Sequence, residues 1–550
     1  MVTVMGINAV FHDPAAALVV DGTIVAAAEE ERFSRRKHGK TPVPFSTWEL
    51  PEQAMRYCLR EAAIDPCDLD AVAYSYDPAA ATAIPTESNG LTDSEWEALR
   101  TLYATRADRF VATALGCDAP VDVRHVPHHV AHAASAWGAS PFDSSAVMVL
   151  DGRGENSSYL AGVHRGGRFR TLARQDLPHS LGLRYEELTA HLGFRRSSDE
   201  YKVMALASYG NPVHIEEFRR SIHADGCGGF VTEEIDWNRF APPGSGDDGV
   251  RAEHADLAST MQTRLEEVML DLAAWLADRT GERRLTMAGG VALNCVANSR
   301  LFEDGPFDGV WVQPAAGDAG TALGAALHVA AELGDTPTPM TTAALGPGWS
   351  DDEIEGVLTA AALPFERVDD VASAVADALA DDAIVAWFQG RSEFGPRALG
   401  HRSLLAHPGH GRNLERLNDV KGREQFRPVA PMVTVEAASE LFDGGPVPSP
   451  YMLFTHRVHP SWAERIPAVV HVDNTARIQT VDPGDEPLVH RMLTQFEQRT
   501  GLPVVVNTSF NTAGRPMVDH PREALECFGS APIDLLAIGP FVIRRERCFR

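Results

Sequence analysis

The sequence predicts a mixed α/β protein whose N-terminal part is one lobe used twice and whose C-terminal part is a separate α/β domain. The first observation is a repeat. Strand, acid-bearing turn, strand, glycine turn and strand follow one another from Val4, and the same order returns from Val147. The second is a pair of Gly-rich strand-to-helix turns, around Gly289-Gly290 and around Gly317. The third is a linker, Thr336-Pro337-Thr338-Pro339, followed by the helix start Ser350-Asp351-Asp352-Glu353 with its capping-box spacing. Together they divide the chain into domains at residues 1–345 and 350–550.

Taken in order, residues 4–10 read as a strand that runs into the polar turn Phe11-His12-Asp13-Pro14. Two more strands, at 15–20 and 23–28, are joined by Asp21-Gly22, a strong two-residue hairpin signal. Residues 29–38 are dense in charge of both signs. They form either a solvated edge or a lip presenting basic groups to an anion. Helices at 50–63 and 93–115 flank a strand at 70–75. In the second copy, 147–150 is a strand, 151–154 a polar Gly-rich turn, and 157–163 a strand that turns at Gly166-Gly167 into 169–173. Two hairpin-led α/β lobes with acidic turns facing each other are the layout of the actin/sugar-kinase/Hsp70 superfold, which clamps a nucleotide between lobes. Helices at 180–192 and 199–210 come next, then a Gly/Pro/Asp loop at 242–250. A long amphipathic helix follows, with Leu257, Met261, Leu265, Val268, Met269, Leu272 and Leu276 on one stripe.

Composition narrows the function. The 550 residues carry 49 basic and 76 acidic side chains, a formal charge of −27. That balance repels a phosphate backbone and excludes nucleic acid as the expected partner. The seven cysteines form no C-x-x-C pair, which disfavours a disulfide framework and a structural zinc module. No apolar run approaches a membrane span and the start carries no basic n-region, so a cytoplasmic protein without a membrane partner is expected.

Two groups of residues carry chemistry. His128 and His132 stand four apart in a helix-favouring stretch, which places both imidazoles on one face. Asp151, at the end of the strand 146–150, is placed to complete a His/His/Asp set for Fe(II), Mn(II) or Zn(II). The alternative is a pair of capping histidines. Asp318, just ahead of a helix, is either an N-cap or a fourth ligand. Gly289, Gly290 and Gly317 would let a nucleotide approach the backbone, with free amides facing phosphate, or else serve tight packing. In the C-terminal domain, Arg391, Arg397, Arg402, Lys421, Arg423 and Arg427 lie among glycines and aromatics, followed by Arg477 and the segment 504–511. Guanidinium forks and an ammonium in a chain this acidic suit phosphate groups.

With these residues assembled, the chain resembles the ATP-dependent O-carbamoyltransferases of the nodulation/antibiotic-tailoring family, which includes the tobramycin and novobiocin enzymes. The resemblance rests on His12-Asp13, on His128-His129-x-x-His132 and on Asp199-Glu200-Tyr201-Lys202-Val203-Met204. It continues through Ala288-Gly289-Gly290-Val291-Ala292, Pro314-Ala315-Ala316-Gly317-Asp318, Gly395-Pro396-Arg397-Ala398-Leu399-Gly400 and Asn507-Thr508-Ser509-Phe510-Asn511. It implies two sites. A YrdC-like C-terminal domain would form carbamoyl-adenylate from carbamoyl phosphate and ATP with Mg2+. Lys421, Arg397, Arg427 and Arg477 would bind phosphate groups there, with Asn507 and Ser509 nearby. An N-terminal domain similar to the tRNA threonylcarbamoyl-transferases would hold a metal, Fe2+ or another divalent transition ion, on His128, His132, Asp151 and Asp318. There His12, beside Asp13, would serve as base toward a small-molecule hydroxyl acceptor. Sugar, aminoglycoside, macrolide and polyketide hydroxyls all stay open as acceptor.

The absence of cysteine pairs weighs against a hydrogenase-maturation carbamoyl enzyme, and the charge of −27 against a tRNA-modifying one. A catalytically silent nucleotide-binding protein on the same fold is disfavoured by the two complete polar constellations.

Overall fold

Asp21 and Gly22 adopt φ of 48° and 75°, the left-handed pair that a two-residue hairpin requires. They join Ala15–Val20 to Thr23–Glu29, and this hairpin leads the first five-stranded sheet. The computed structural model describes residues 2–39, 49–81, 87–88, 91–246, 249–512 and 514–548. The chain divides into two compact units, Met1–Met340 and Thr341–Arg550.

In the N-terminal unit the first sheet runs Thr23–Glu29, Ala15–Val20, Thr3–Asn8, Ala71–Tyr74, Val123–His125. The first three strands are antiparallel to their neighbours and the last two join in parallel. The second sheet repeats this order with Arg168–Asp176, Ser157–Arg165, Ser145–Leu150, Arg284–Ala288 and Gly309–Val312. The repeat read in the sequence is therefore a structural duplication, the lobe pair of an actin/sugar-kinase/Hsp70-like fold. Thr3–Asn8 and Ser145–Leu150, the central strand of each lobe, are buried along their whole length, as strands covered on both faces must be.

Two helices cross between the sheets. His128–Ala139 packs on Ser145–Leu150 and Arg284–Ala288, while Ala319–Glu332 packs on Thr3–Asn8 and Ala15–Val20. Their own contact is close because Gly324 has no side chain. A Cβ there would lie 1.8 Å from the Ala131 carbonyl oxygen. We expect Gly324→Ala to force the helices apart and to cost about 1–3 kcal/mol by overpacking. A urea midpoint unchanged from wild type would show that the crossing is not tight.

The long helix is Ala252–Thr280, and all seven residues of the predicted stripe are buried. Two readings change. The start of the run 29–38 is drawn inside: Arg32 is buried against Glu29 and Glu31, and Glu30 accepts N–H groups from Gln53 and Ala54, while Arg36 stays exposed. Arg32 is neutralised inside the fold by the acids one and three residues before it. The helix predicted at 93–115 is two, Asp93–Ala104 and Ala107–Leu115. Between them Thr105 turns its hydroxyl back onto the Thr101 carbonyl at 2.6 Å, a bond that competes with helix continuation.

The C-terminal unit is built on an eight-stranded mixed sheet. Its order is Glu366–Arg367, Phe541–Arg544, Leu535–Ile538, Val385–Phe388, Arg402–Ala406, Val504–Ser509, Ala430–Thr434, Gln479–Val481. The capping box of Ser350 and Glu353 is present. The unit nonetheless begins ahead of it, because Gly346 and Phe394 donate N–H groups to Ser392 and Ala343 carbonyls. Among the described residues no helix is long and apolar enough to cross a membrane.

Candidate functional site

The helix His128–Ala139 starts directly after Pro127, and no side chain of its own N-cap closes it. Glu155 does this from the second lobe: its Oε1 accepts the His128 N–H at 2.9 Å and the Asp77 N–H at 2.8 Å. Fixed in this way, the first turn points His128 and His132 inward, both fully buried. Their Nε2 atoms lie 3.2 Å apart. Asp151 arrives from the end of Ser145–Leu150, and Asp318 from the residue ahead of Ala319–Glu332, where its side chain makes no capping bond.

Each carboxylate has one oxygen tied back and one presented. Asp151 Oδ1 accepts the Gly290 N–H at 2.9 Å, and Asp318 Oδ2 accepts the His12 N–H at 3.0 Å. Asp151 Oδ2 then stands 3.3 Å from His128 Nε2 and 3.8 Å from His132 Nε2; Asp318 Oδ1 is 3.5 Å from both. Ligands about 2.0–2.2 Å from a tetrahedral first-row ion are separated by about 3.3–3.6 Å. The five separations above, from 3.2 to 3.8 Å, bracket that spacing, and two imidazoles with two carboxylates are a donor set for iron, manganese or zinc. The Nδ1 atoms of both histidines are buried without hydrogen-bond partners among the described residues. The supporting shell of this centre is thus built on its carboxylates.

The electrostatics agree. Burial would lower the pKa of His128, but Asp318 and Asp151 override it and hold it well above the usual imidazole value. Burial would raise Asp151 and Asp318, yet the histidines hold both below the usual carboxylate range. His129 faces away, with Nδ1 3.1 Å from Ser157 Oγ. Burial and the neighbouring His128 push it down to about 3.

His12 lies beside this centre, its amide on Asp318 and its Nδ1 3.0 Å from Asp13 Oδ2. The buried Asn8 secures the turn by donating to the carbonyls of His12 and Asp13. A free imidazole titrates at about 6.5. In the fold, burial alone would lower the pKa of His12, but Asp13 outweighs burial and raises it to about 9. Gly289 (φ 95°) is required by packing, since a Cβ would lie 2.1 Å from the Leu150 carbonyl oxygen. The Gly290 amide is spent on Asp151. Gly317 lies in the turn leading to Asp318, with room for a Cβ, its nearest neighbour being Leu293 at 3.7 Å.

In the C-terminal unit Lys421 ends the helix Arg412–Lys421 and is buried. Its ammonium meets the Ser509 carbonyl at 2.5 Å, Ser509 Oγ at 2.8 Å and Asn511 Oδ1 at 2.5 Å. Asn507 donates to the Ala398 carbonyl at 3.0 Å and to Gln479 Oε1 at 2.8 Å. It thereby ties the loop of Arg397 to the segment of Arg477, whose Nε is buried without a hydrogen-bond partner among the described residues. Arg427 precedes Ala430–Thr434 and lies 3.4 Å from Glu424. Arg391 and Arg402 give guanidinium N–H groups to backbone carbonyls. Arg391 donates to the Leu345 and Gly346 carbonyls. Arg402, fully buried on the Phe388 ring, donates to those of Gln389, His401 and Pro347.

Sequence reasoning missed Glu155 and His38. Glu155 was visible only as a further acid after the Asp151 turn. His38, within the charged run, contacts Asp13 Oδ1 at 2.9 Å.

Two family models match the chain: Carbamoyltransferase N-terminus over residues 3–327 and Carbamoyltransferase C-terminus over residues 376–545. The protein sll1178 of Synechocystis is 36% identical over 99% of this chain and 97% of its own length. The nodulation protein NolNO of Sinorhizobium fredii is 37% identical over 98% of this chain and 80% of its own. Among solved structures, HypF of T. kodakarensis aligns at 14% identity and a TM-score of 0.33, over 61% of this chain and 50% of its own.

Proposed function

This chain belongs to the carbamoyltransferase family, and from that premise we propose that it is an O-carbamoyltransferase acting on a small-molecule natural product in the cytoplasm. In the first step carbamoyl phosphate loses inorganic phosphate to water, and the resulting carbamate attacks the α-phosphate of ATP, with Mg2+, to release pyrophosphate. In the second an acceptor hydroxyl attacks carbamoyl-adenylate, forming the new C–O bond as AMP leaves. The YrdC-like C-terminal unit takes the first step, with Arg397, Lys421, Arg427 and Arg477 against phosphate groups and Asn507 and Ser509 holding their segments together.

The observation that carries the second step is the convergence of His128, His132, Asp151 and Asp318 with His12 hydrogen-bonded to the last of them. A divalent transition ion, iron first among them, would be held by those four residues and would supply polarisation of the carbamoyl carbonyl. His12 takes the hydroxyl proton on Nε2 in its neutral form as the C–O bond forms; since Asp13 raises the ring to about 9, transfer should quicken as pH rises toward that value. Asp13 orients the ring and stabilises the imidazolium that results, the role of the carboxylate in an acid–histidine pair. The acceptor is expected near His12, in contact with the segments 76–94 and 242–250, of which residues 82–86, 89–90 and 247–248 lie outside the described residues. The charge of −27 supports a partner other than nucleic acid.

His12→Asn should cut transfer by about 10²–10⁴-fold with the fold intact, the range for loss of a general base. An unchanged kcat with an altered KM for the alcohol would make His12 a binding residue instead. The proposal as a whole is tested by incubating the protein with carbamoyl phosphate, ATP and Mg2+ against sugar, aminoglycoside, macrolide and polyketide alcohols. We expect pyrophosphate release and a mass gain of one carbamoyl group on one class. Failure to release pyrophosphate under any condition would sink it.

A further inference from the structure

His38 does not belong to the metal centre, yet its backbone N–H and both ring nitrogens are engaged. Its N–H donates to Glu31 Oε2 at 2.7 Å, its Nδ1 faces Asp13 Oδ1 at 2.9 Å, and its Nε2 faces Ser198 Oγ at 2.8 Å. Asp13 in turn divides its two oxygens between two imidazoles: Oδ1 to His38 and Oδ2 to His12 Nδ1 at 3.0 Å. The result is a continuous chain, Ser198–His38–Asp13–His12, whose two rings lie 4.6 Å apart. Both middle members have left-handed backbones, Asp13 at φ 45° and His38 at φ 64°, a conformation that costs non-glycine residues free energy and persists only where surrounding contacts impose it.

Asp13 and His38 belong to the first lobe, Ser198 to the second, between Leu181–His191 and Glu200–Ala207. We infer that His38 is a positioning residue. With its Nδ1–H given to Asp13 and Nε2 accepting the Ser198 hydroxyl, it fixes the Asp13 carboxylate so that His12 is held with Nε2 toward the reacting hydroxyl, and it makes that alignment depend on the second lobe being in place. A carboxylate held from one side only would rotate about its terminal torsion, which is broad, and release the His12 ring. Each carboxylate oxygen meets one imidazole nitrogen at hydrogen-bond distance, so the trio is satisfied without a cation.

This inference rests on His12 acting as base, but its test separates the two. The first readout is the downfield Nδ1–H proton resonance of the His12–Asp13 pair, assigned by its loss in His12→Asn and recorded on the full chain without substrate. His38→Ala should broaden or abolish it, Ser198→Ala should weaken it, and His38→Asn, which keeps a donor toward Asp13, should restore it. The second readout is AMP release from carbamoyl phosphate and ATP with water as the acceptor. His38→Ala should lower kcat by about 10–10²-fold, the scale of a small misplacement of a reacting group, with KM for carbamoyl phosphate unchanged and His38→Asn recovering most of the loss. A His12 resonance indifferent to both His38→Ala and Ser198→Ala overturns the inference, whatever His12 does. If the resonance responds but His12→Asn leaves AMP release untouched, the chain of contacts stands and the assignment of His12 as base falls.

Discussion

Lys421→Ala is expected to abolish pyrophosphate release and carbamoyl transfer together, whereas His128→Ala is expected to abolish transfer and leave ATP-dependent pyrophosphate release running. The two residues lie in different compact units, and each is buried among partners of its own site. The Lys421 ammonium spends its bonds on Ser509 and Asn511 at the end of Val504–Ser509. These three acceptors are uncharged, and on the proposed reading a phosphate group meets the ammonium at that strand end. Removing one such charge from a phosphoryl-transfer site costs on the order of 10²–10³-fold. Among the described residues the polar partners of His128 are Asp151, Asp318, His132 and the Glu155 carboxylate, all within the N-terminal unit. Carbamoyl-adenylate supplied directly should therefore rescue Lys421→Ala and Arg427→Ala, and should not rescue His128→Ala or Asp318→Ala. Equal loss of pyrophosphate release in both classes, with folding verified by circular dichroism, would require the two-site mechanism to be withdrawn.

Metal binding has the second largest expected effect, and it is readable without turnover. Fe(II) supplied under anaerobic conditions should bind once per chain and stabilise the fold by about 2.7 kcal/mol when present at a hundred times its Kd. His128→Ala combined with Asp318→Ala should remove the stabilisation entirely. Binding should weaken as pH falls, and the sign follows from the ligands. Asp318 and Asp151 hold His128 above its ordinary pKa, so a proton occupies the site at neutral pH and an entering ion must displace it. Proton release on titration with Fe(II), larger at lower pH within the range where the chain stays folded, is the accompanying signal. Equal thermal shifts in wild type and double variant would place the metal elsewhere.

Much of this protein is decided locally. Asp21-Gly22 makes a hairpin because both residues accept positive φ, and the stripe from Leu257 to Leu276 makes a buried helix because its spacing follows the helical period. The four-residue spacing of His128 and His132 puts two imidazoles on one face wherever that helix stands. These properties depend on neighbours in the chain, so the duplicated lobe, the histidine pair and both acidic strand ends are legible from residue order alone. What packing decides is which groups face one another. Asp318 reads equally as an N-cap or a ligand until the Gly324 crossing sets its helix against Ala131. Arg402 and Lys421 look alike as cations among glycines, yet one is consumed by backbone carbonyls and the other by the end of a strand. Glu155 and His38 carry no local signature, because their work is done across 27 and 160 residues, on His128 and on Ser198. Hydrogen bonds at such separations exist only once two lobes have packed, and Asp13 then outweighs burial and raises His12 above an ordinary imidazole. Residue order determined the ligand chemistry; the tertiary fold chose its partners, since charge and desolvation act through space and not along the chain.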